Sequence, residues 1–292
     1  MTDRRSLRSN GRVADRSLQG VVEADSFVEP QRHRVRWPVA AIYAGSTGVN
    51  KDRELAFGEG FEVLGTEGTR LFGYATRDGY VGYVDRDALA PYSLVPTHRV
   101  IAPTYWHSEP RLKCGYEPTP MPIGARVAVA TRHRDHCDWA EIDLPAAETE
   151  DTGSAVYVPM PHLMPLDPLA TDPVAEAERY LGVPYLWAGN SGFGIDCSGL
   201  VQAACLACGV ACPGDSDQQA AELGEALPED APLQRNDLIF WKGHVAWVVG
   251  DGRILHANAR DMAVAYEDMK ASIDRIAVSD GPVTGRRRLA LG

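Results

Sequence analysis

The chain has little positive charge to set against its acids: 29 Lys and Arg stand beside 40 Asp and Glu, a formal net charge of −11 at pH 7. Proteins that grip nucleic acid carry a basic face, and binding to anionic membranes or anionic wall polymers needs the same attraction. The charge balance argues against nucleic-acid and membrane partners. Long apolar runs are also missing. No stretch approaches the ~20 apolar residues of a membrane span, and the opening MTDRRSLRSNGRVADRSLQG has arginines but no apolar core of a secretory leader. A cytoplasmic setting is expected, with Cys114, Cys137, Cys197, Cys205, Cys208 and Cys212 reduced. Four of the six crowd into residues 197–212, which is not the spacing of a disulfide framework.

What is present suits a globular protein: 45% hydrophobic and 24% charged residues over 292 positions, more than one average domain. Residues 1–25 are polar and uneven and read as a partly ordered tail. Two segments then repeat one plan. RHRVRWPVAAIYAG…GEGFEVLG…GYVGYVDRDAL ends at Leu89, and THRVIAPTYWHSEP…GARVAVAT…AVYVPMPHL ends at Leu163. Each opens on His-Arg-Val, has a Gly-led apolar strand in the middle and closes on a Tyr-Val strand with a terminal Leu. A spacing of about 65–75 residues marks a tandem duplication, not a solenoid, and short strands with turn signals predict two small barrels, over 26–96 and 97–168.

After the Pro-rich joint PLDPLATDP (165–173) the character changes. DPVAEAERYLG predicts a helix capped by Asp172, with Pro173 at its first position and Gly182 as the stop. DCSGLVQAACLACG predicts a second over 197–208, ended by Gly209. Strand-like runs follow at 237–243, 244–250, 253–259 and 282–291, so residues 169–292 read as α+β.

Cys197 falls in the first turn of that second helix, where backbone N–H groups and the positive end of the dipole favour a thiolate. A nucleophilic thiolate needs a base, and the base needs a partner to orient it. His244 and His256 offer both, if their hairpin has the right register. A two-residue turn at Asp251-Gly252 pairs 247 with 256 and sends the histidines to opposite faces. A three-residue loop, Gly250-Asp251-Gly252, pairs 246 with 256 and makes them diagonal neighbours on one face, ~7–8 Å apart along the backbone. Gly252 at the loop's end favours the second, so a Cys197–His244–His256 chain is expected.

Plainer explanations serve the other candidates. A cysteine in an apolar helix is more often core than nucleophile, and Cys205, Cys208 and Cys212 read as core or helix-end thiols. Their C-x₂-C-x₃-C spacing lacks a fourth zinc ligand. HRDHC (133–137) reads as a hairpin loop, and His33 and His98 as structural residues at equivalent repeat positions. No metal and no cofactor is called for.

Beyond the residues themselves, PYLWAGNSGFGIDCSGLVQ, PGDSDQQAAELG and NDLIFWKGHVAWVVGDGRILHANA resemble the signature segments of the NlpC family of papain-like cysteine peptidases, which cut cell-wall peptides. Two SH3-like barrels ahead of such a domain resemble the subgroup of γ-D-glutamyl-L-diamino-acid peptidases. The resemblance implies an α+β fold with a papain-like domain at 169–292. It implies Cys197 as nucleophile, His244 as base and later acid, His256 as the orienting residue, and Tyr185 as an oxyanion donor beside the Cys197 N–H. It further implies that Asp196 binds the free amine of the substrate, that Ser198 shapes that pocket, that Asp215 and Trp187 lie near substrate, and that Tyr80, with Tyr83 as rival, reaches over from the first barrel. The sequence departs from the family pattern at Ala188 and Asn236, which replace glycines, at Gly214, and at Ala246-Trp247, where Trp247 either fills space or narrows a subsite.

The expected function is a cysteine endopeptidase that splits the γ-D-Glu–diamino-acid bond of short murein-derived peptides with a free N-terminal L-Ala, in cell-wall peptide recycling. An amidase or acyltransferase on the same Cys–His scaffold, and a non-catalytic module that binds wall peptide, are the alternatives.

Overall fold

Both His-Arg-Val segments become central strands of a barrel. His33 lies in Gln31–Val35, flanked by Gly60–Glu67 and Leu89–Pro91. His98 lies in His98–Val100, flanked by Arg126–Val127 and Leu163–Pro165. Each last strand is entered through a 3₁₀ turn, Arg86–Ala88 or Met160–His162, so the duplication is visible in the pairing itself. This is a computed structural model; it describes residues 3–115, 117–145 and 155–291. Met1 and Thr2 of the expected tail, Tyr116 and residues 146–154 of the second barrel segment, and Gly292 lie outside the described residues. The chain divides into two units, Met1–Asp167 and Pro168–Gly292, inside the Pro-rich joint.

The first unit holds two apolar cores, one around Val35, Ile42, Leu55, Phe61, Leu71 and Val84, the other around Val100, Met121, Val127, Ile142 and Val158. The expected tail is a correction. Residues 13–15 and 26–28 form a parallel strand pair, and Val13 and Val28 pack on Leu64, Phe72, Tyr74, Val81 and Tyr83. Tyr74 donates from Oη to Asp15 at 3.1 Å, and the Arg8 guanidinium lies 4.2 Å over the Tyr74 ring. The reason is apolar surface. Arg70–Ala75 is buried at every position, so its outer face needs a cover, and the N-terminal segment supplies it.

In the second unit, Asp172 caps a short helix, α1 (Pro173–Glu178), by accepting from the Val174 and Ala175 N–H groups. The helix stops well before Gly182, which takes a left-handed turn at φ +80° further on. Asp196 caps α2 (Cys197–Ala207), and α3 covers Ser216–Glu222. The sheet joins β1 (Asp237–Trp241), β2 (His244–Gly250), β3 (Arg253–Asn258) and β4 (Ala263–Asp268) in sequence, with β5 (Gly285–Arg288) against the other edge of β1. Between β4 and β5 stands α4 (Met269–Ser279), capped by Asp268. Neither β4 nor α4 follows from the strand-like runs recognised in the sequence. α4 packs Ile276 onto Ile239, Ala246, Val248 and Ile254. Among the described residues no helix is long and apolar enough to cross a membrane.

Candidate active site

The β2–β3 turn is a two-residue Asp251-Gly252 turn, not the three-residue loop expected. Both residues have positive φ, +50° and +69°, as a type I′ turn requires, and Gly250 pairs with Arg253. The ladder then slips by one residue between Val248 and Gly250, so that Val248 faces Ile254 and Trp247 faces Leu255. A bulge thus restores the register that the longer loop would have given, and His244 and His256 meet on one face. Nε2 of His244 lies 2.9 Å from Nδ1 of His256.

The chain of contacts continues. Nε2 of His256 lies 3.1 Å from Oε2 of Glu267 on β4. Arg275 of α4 donates to both oxygens of Glu267, at 3.0 and 2.7 Å, and Arg260 donates to Oε1 at 2.8 Å. Glu267 was missed in the sequence because β4 was missed. Once β4 is recognised, its register with β3 pairs His256 with Ala265 and puts Glu267 two residues along, on the same face.

Burial first, and the neighbouring His256 second, hold His244 down at about 3. The ring is crowded by protein although part of its surface stays open. Burial likewise holds His256 at about 4 against the pull of Glu267. Glu267 would be raised by its own burial, yet the Arg275 and Arg260 contacts bring it down to about 2. Both imidazoles are therefore neutral at pH 7, and the carboxylate is ionised.

Cys197 is the first residue of α2. Its Sγ lies 4.0 Å from the carbonyl oxygen of Gly243, the residue before His244, which brings the helix start to the start of β2. Asp196 fixes that start. Its Oδ1 accepts from the Gly199 N–H at 2.6 Å and from Ser198 Oγ at 3.1 Å, and its Oδ2 from the Ala188 N–H at 3.1 Å. Ala188 sits at φ +61° where the family pattern has glycine, so this N–H is aimed by a left-handed turn. Asn236 also replaces a glycine, at φ +74°, and its Oδ1 accepts from the Val174 N–H at 3.0 Å, a second tie on α1.

Tyr185 is bridged to Ile195. Burial, followed by the charges of Cys197 and Asp196 nearby, pushes its phenol up to about 12, so it remains an O–H donor. Tyr185, Asp196, Cys197 and Ser198 thus gather at one end of α2. Asp215 is the N-cap residue of α3, and Trp187 is 73% exposed on the loop before Ala188. Trp247 is fully buried on the face of β2 opposite His244, so it fills the core and narrows no subsite. Tyr80 belongs to the inner core of the first barrel and Tyr83 to its outer layer. Cys205 lies against Cys212, which together with burial pushes its thiol well up; neither joins the histidines. Among the described residues no cluster of His, Cys, Asp and Glu could hold a metal ion.

Residues 182–276 match the NlpC/P60 family, and residues 46–89 match the bacterial dipeptidyl-peptidase Sh3 domain. A γ-D-glutamyl-L-lysine dipeptidyl-peptidase of Bacillus cereus is 39% identical over 105 residues, 33% of this chain and 31% of that protein. The Bacillus subtilis protein of the same name is 40% identical over 96 residues, 30% of this chain and 32% of its own length. The matches thus span about a third of the curated relatives. A crystal structure of an NlpC/P60 family protein from Bacillus cereus shares the fold at a TM-score of 0.71 and 18% identity, over 88% of this chain and 99% of the other.

Proposed function

Because the chain carries an NlpC/P60 domain over residues 182–276 behind a bacterial dipeptidyl-peptidase Sh3 domain over residues 46–89, we propose that it is a cysteine peptidase that hydrolyses the γ-D-Glu–L-diamino-acid bond of short murein peptides bearing a free N-terminal L-Ala. One observation carries this reading: the start of α2, with Cys197, meets the start of β2, where His244 is already tied to His256 at 2.9 Å. A thiol, a base and an orienting partner are what acyl transfer to sulfur needs.

In this reading His244 takes the thiol proton as Cys197 Sγ attacks the γ-carbonyl carbon of D-Glu. The Tyr185 O–H and the Cys197 N–H hold the oxyanion. The amine of the diamino acid leaves with the proton from His244, and a thioester remains. Water then gives a proton to His244, attacks the thioester carbon and frees the γ-carboxyl, and the proton returns to sulfur. Asp196 and Ser198 are candidates for the substrate's amine, and Asp215 and Trp187 for further peptide contacts. A charge-assisted contact to a free amine selects against peptides still blocked at that end, which suits the recycling of released peptides in the cytoplasm.

The test is mass spectrometry of products from L-Ala-γ-D-Glu-diaminopimelate, its lysine counterpart and an N-acetylated form. Release of L-Ala-D-Glu from the free peptides, none from the blocked one and none by Cys197→Ala is the expected result. Acyl transfer without free L-Ala-D-Glu, or equal cleavage by Cys197→Ala, would overturn the proposal.

A further inference from the structure

The family pattern accounts for Cys197, His244 and His256, but the contacts do not end at the second histidine. His256 is 1% exposed and touches polar groups on both ring nitrogens: His244 on one side, Glu267 on the other. Glu267 is itself buried, and two guanidiniums hold its carboxylate in place. We infer that Glu267 is a positioning residue that fixes the tautomers of both histidines, so that His244 presents an unprotonated Nδ1 to the Cys197 thiol. The inference rests on the proposed Cys–His chemistry and adds the group that orients it.

The argument is an accounting of donors. An ionised carboxylate only accepts. Oε2 of Glu267 lies 3.1 Å from Nε2 of His256, so that nitrogen carries the hydrogen and donates. A neutral imidazole has one N–H, so Nδ1 of His256 is left as an acceptor. The atom 2.9 Å from it, Nε2 of His244, must then be the donor. His244 is neutral too, so its remaining lone pair is on Nδ1. Each step is forced by the one before, and the first is set by Glu267. Were the carboxylate replaced by an amide, its NH₂ could face Nε2 of His256. The chain would then run the other way and place the hydrogen of His244 on Nδ1, where it blocks the base.

Burial of the ring first, and then the two arginines on Glu267, explain why a carboxylate here does not simply turn His256 into imidazolium. The charged groups around the pair are Glu267 on β4, Arg260 and Asp261 on the β3–β4 connection, and Arg275 and Asp280 on and just after α4. Arg260 and Arg275 drain charge from Glu267, which leaves it an acceptor that orients without strongly attracting a proton. Removing one of them should strengthen the pull of Glu267 and make the histidines more basic.

Two measurements decide the matter, and the first needs no substrate. Long-range ¹⁵N NMR of the full chain labelled at histidine reports which ring nitrogen carries hydrogen. The expected result is Nε2–H at both His256 and His244. Nδ1–H at His256 in the wild-type protein overturns the inference, whether or not any variant folds. The second is kinetic. Glu267→Gln should lower kcat by about 10- to 100-fold, a usual loss for an outer partner of a catalytic group, with KM little changed and a mixed tautomer at His244. Arg260→Gln should move the acidic limb of kcat/KM to higher pH. Wild-type kcat and tautomers in Glu267→Gln, or an unmoved acidic limb in Arg260→Gln, would contradict it. If the wild-type protein cuts none of the peptides, the proposed function fails while the NMR result still decides the tautomers.

Discussion

Asp196→Asn should loosen the start of α2 without removing any reacting atom. Donors to the wild-type carboxylate include the Gly199 N–H and the Ser198 hydroxyl on one oxygen and the Ala188 N–H on the other. An asparagine keeps one oxygen, which stays with Gly199 and Ser198. Its NH₂ then faces the Ala188 N–H, donor against donor, at a residue 2% exposed. A buried donor without an acceptor costs about 1–3 kcal/mol, and the loss of charge assistance at the helix start about 0.3–1 kcal/mol. The expected destabilisation of this corner is about 1.3–4 kcal/mol, or opening some 8- to 700-fold more frequent, at about 1.4 kcal/mol per tenfold. Hydrogen–deuterium exchange of peptides covering 186–207 measures that opening directly. Unchanged exchange in Asp196→Asn would refute the claim that this carboxylate holds the turn and the helix together. Accelerated exchange across β4 and α4 as well would show that the effect is global and not local to the site.

Other outcomes follow from the same contacts. His244 and His256 are held near 3 and 4 when folded but titrate near 6.5 when unfolded, and Glu267 falls from 4.5 to about 2. All three act in one direction: their contribution is complete above about pH 6.5 and is lost as the pH falls toward 3. Urea midpoints should therefore drop steadily from pH 6.5 to 4, and a flat profile would contradict the burial of neutral imidazoles. Ala188→Gly should be neutral or up to about 1 kcal/mol more stable in urea unfolding, because relief at φ +61° offsets the looser unfolded chain; a loss above that would refute the strain. Arg288→Met leaves the fully buried Asp237 without the donors at 2.8 and 2.7 Å, and should cost about 2–4 kcal/mol, less than a wholly buried pair because Arg288 is partly solvated; an unchanged urea midpoint would contradict it.

Much of the site was legible because strand periodicity fixes faces. Whether His244 and His256 share a face depends only on the ladder register, and the positive-φ preference of the Gly250-Asp251-Gly252 stretch limits the choices. The turn itself was misjudged, since a bulge at Val249 and a two-residue turn give the same upstream register as a three-residue loop. The repeat of His-Arg-Val segments was legible because each fills the same central strand. Less visible was anything set by cover. The N-terminal segment looks like a polar tail until the outer face of Arg70–Ala75 is seen to be apolar, and that face is masked in the sequence because the strand is buried on both sides. Glu267 was hidden for a related reason. In AVAYED the alternation is weak, with Tyr266 partly exposed, so neither β4 nor its carboxylate stands out.

The central claim is that the sulfur of Cys197 becomes acylated by the γ-glutamyl carbonyl. Rapid acid quench of the enzyme during turnover of L-Ala-γ-D-Glu-diaminopimelate, followed by peptide mapping, tests it directly. The account predicts a transient L-Ala-D-Glu thioester on Cys197 that His244→Ala abolishes. Turnover with the adduct on another cysteine, or turnover that persists in Cys197→Ala, would contradict it.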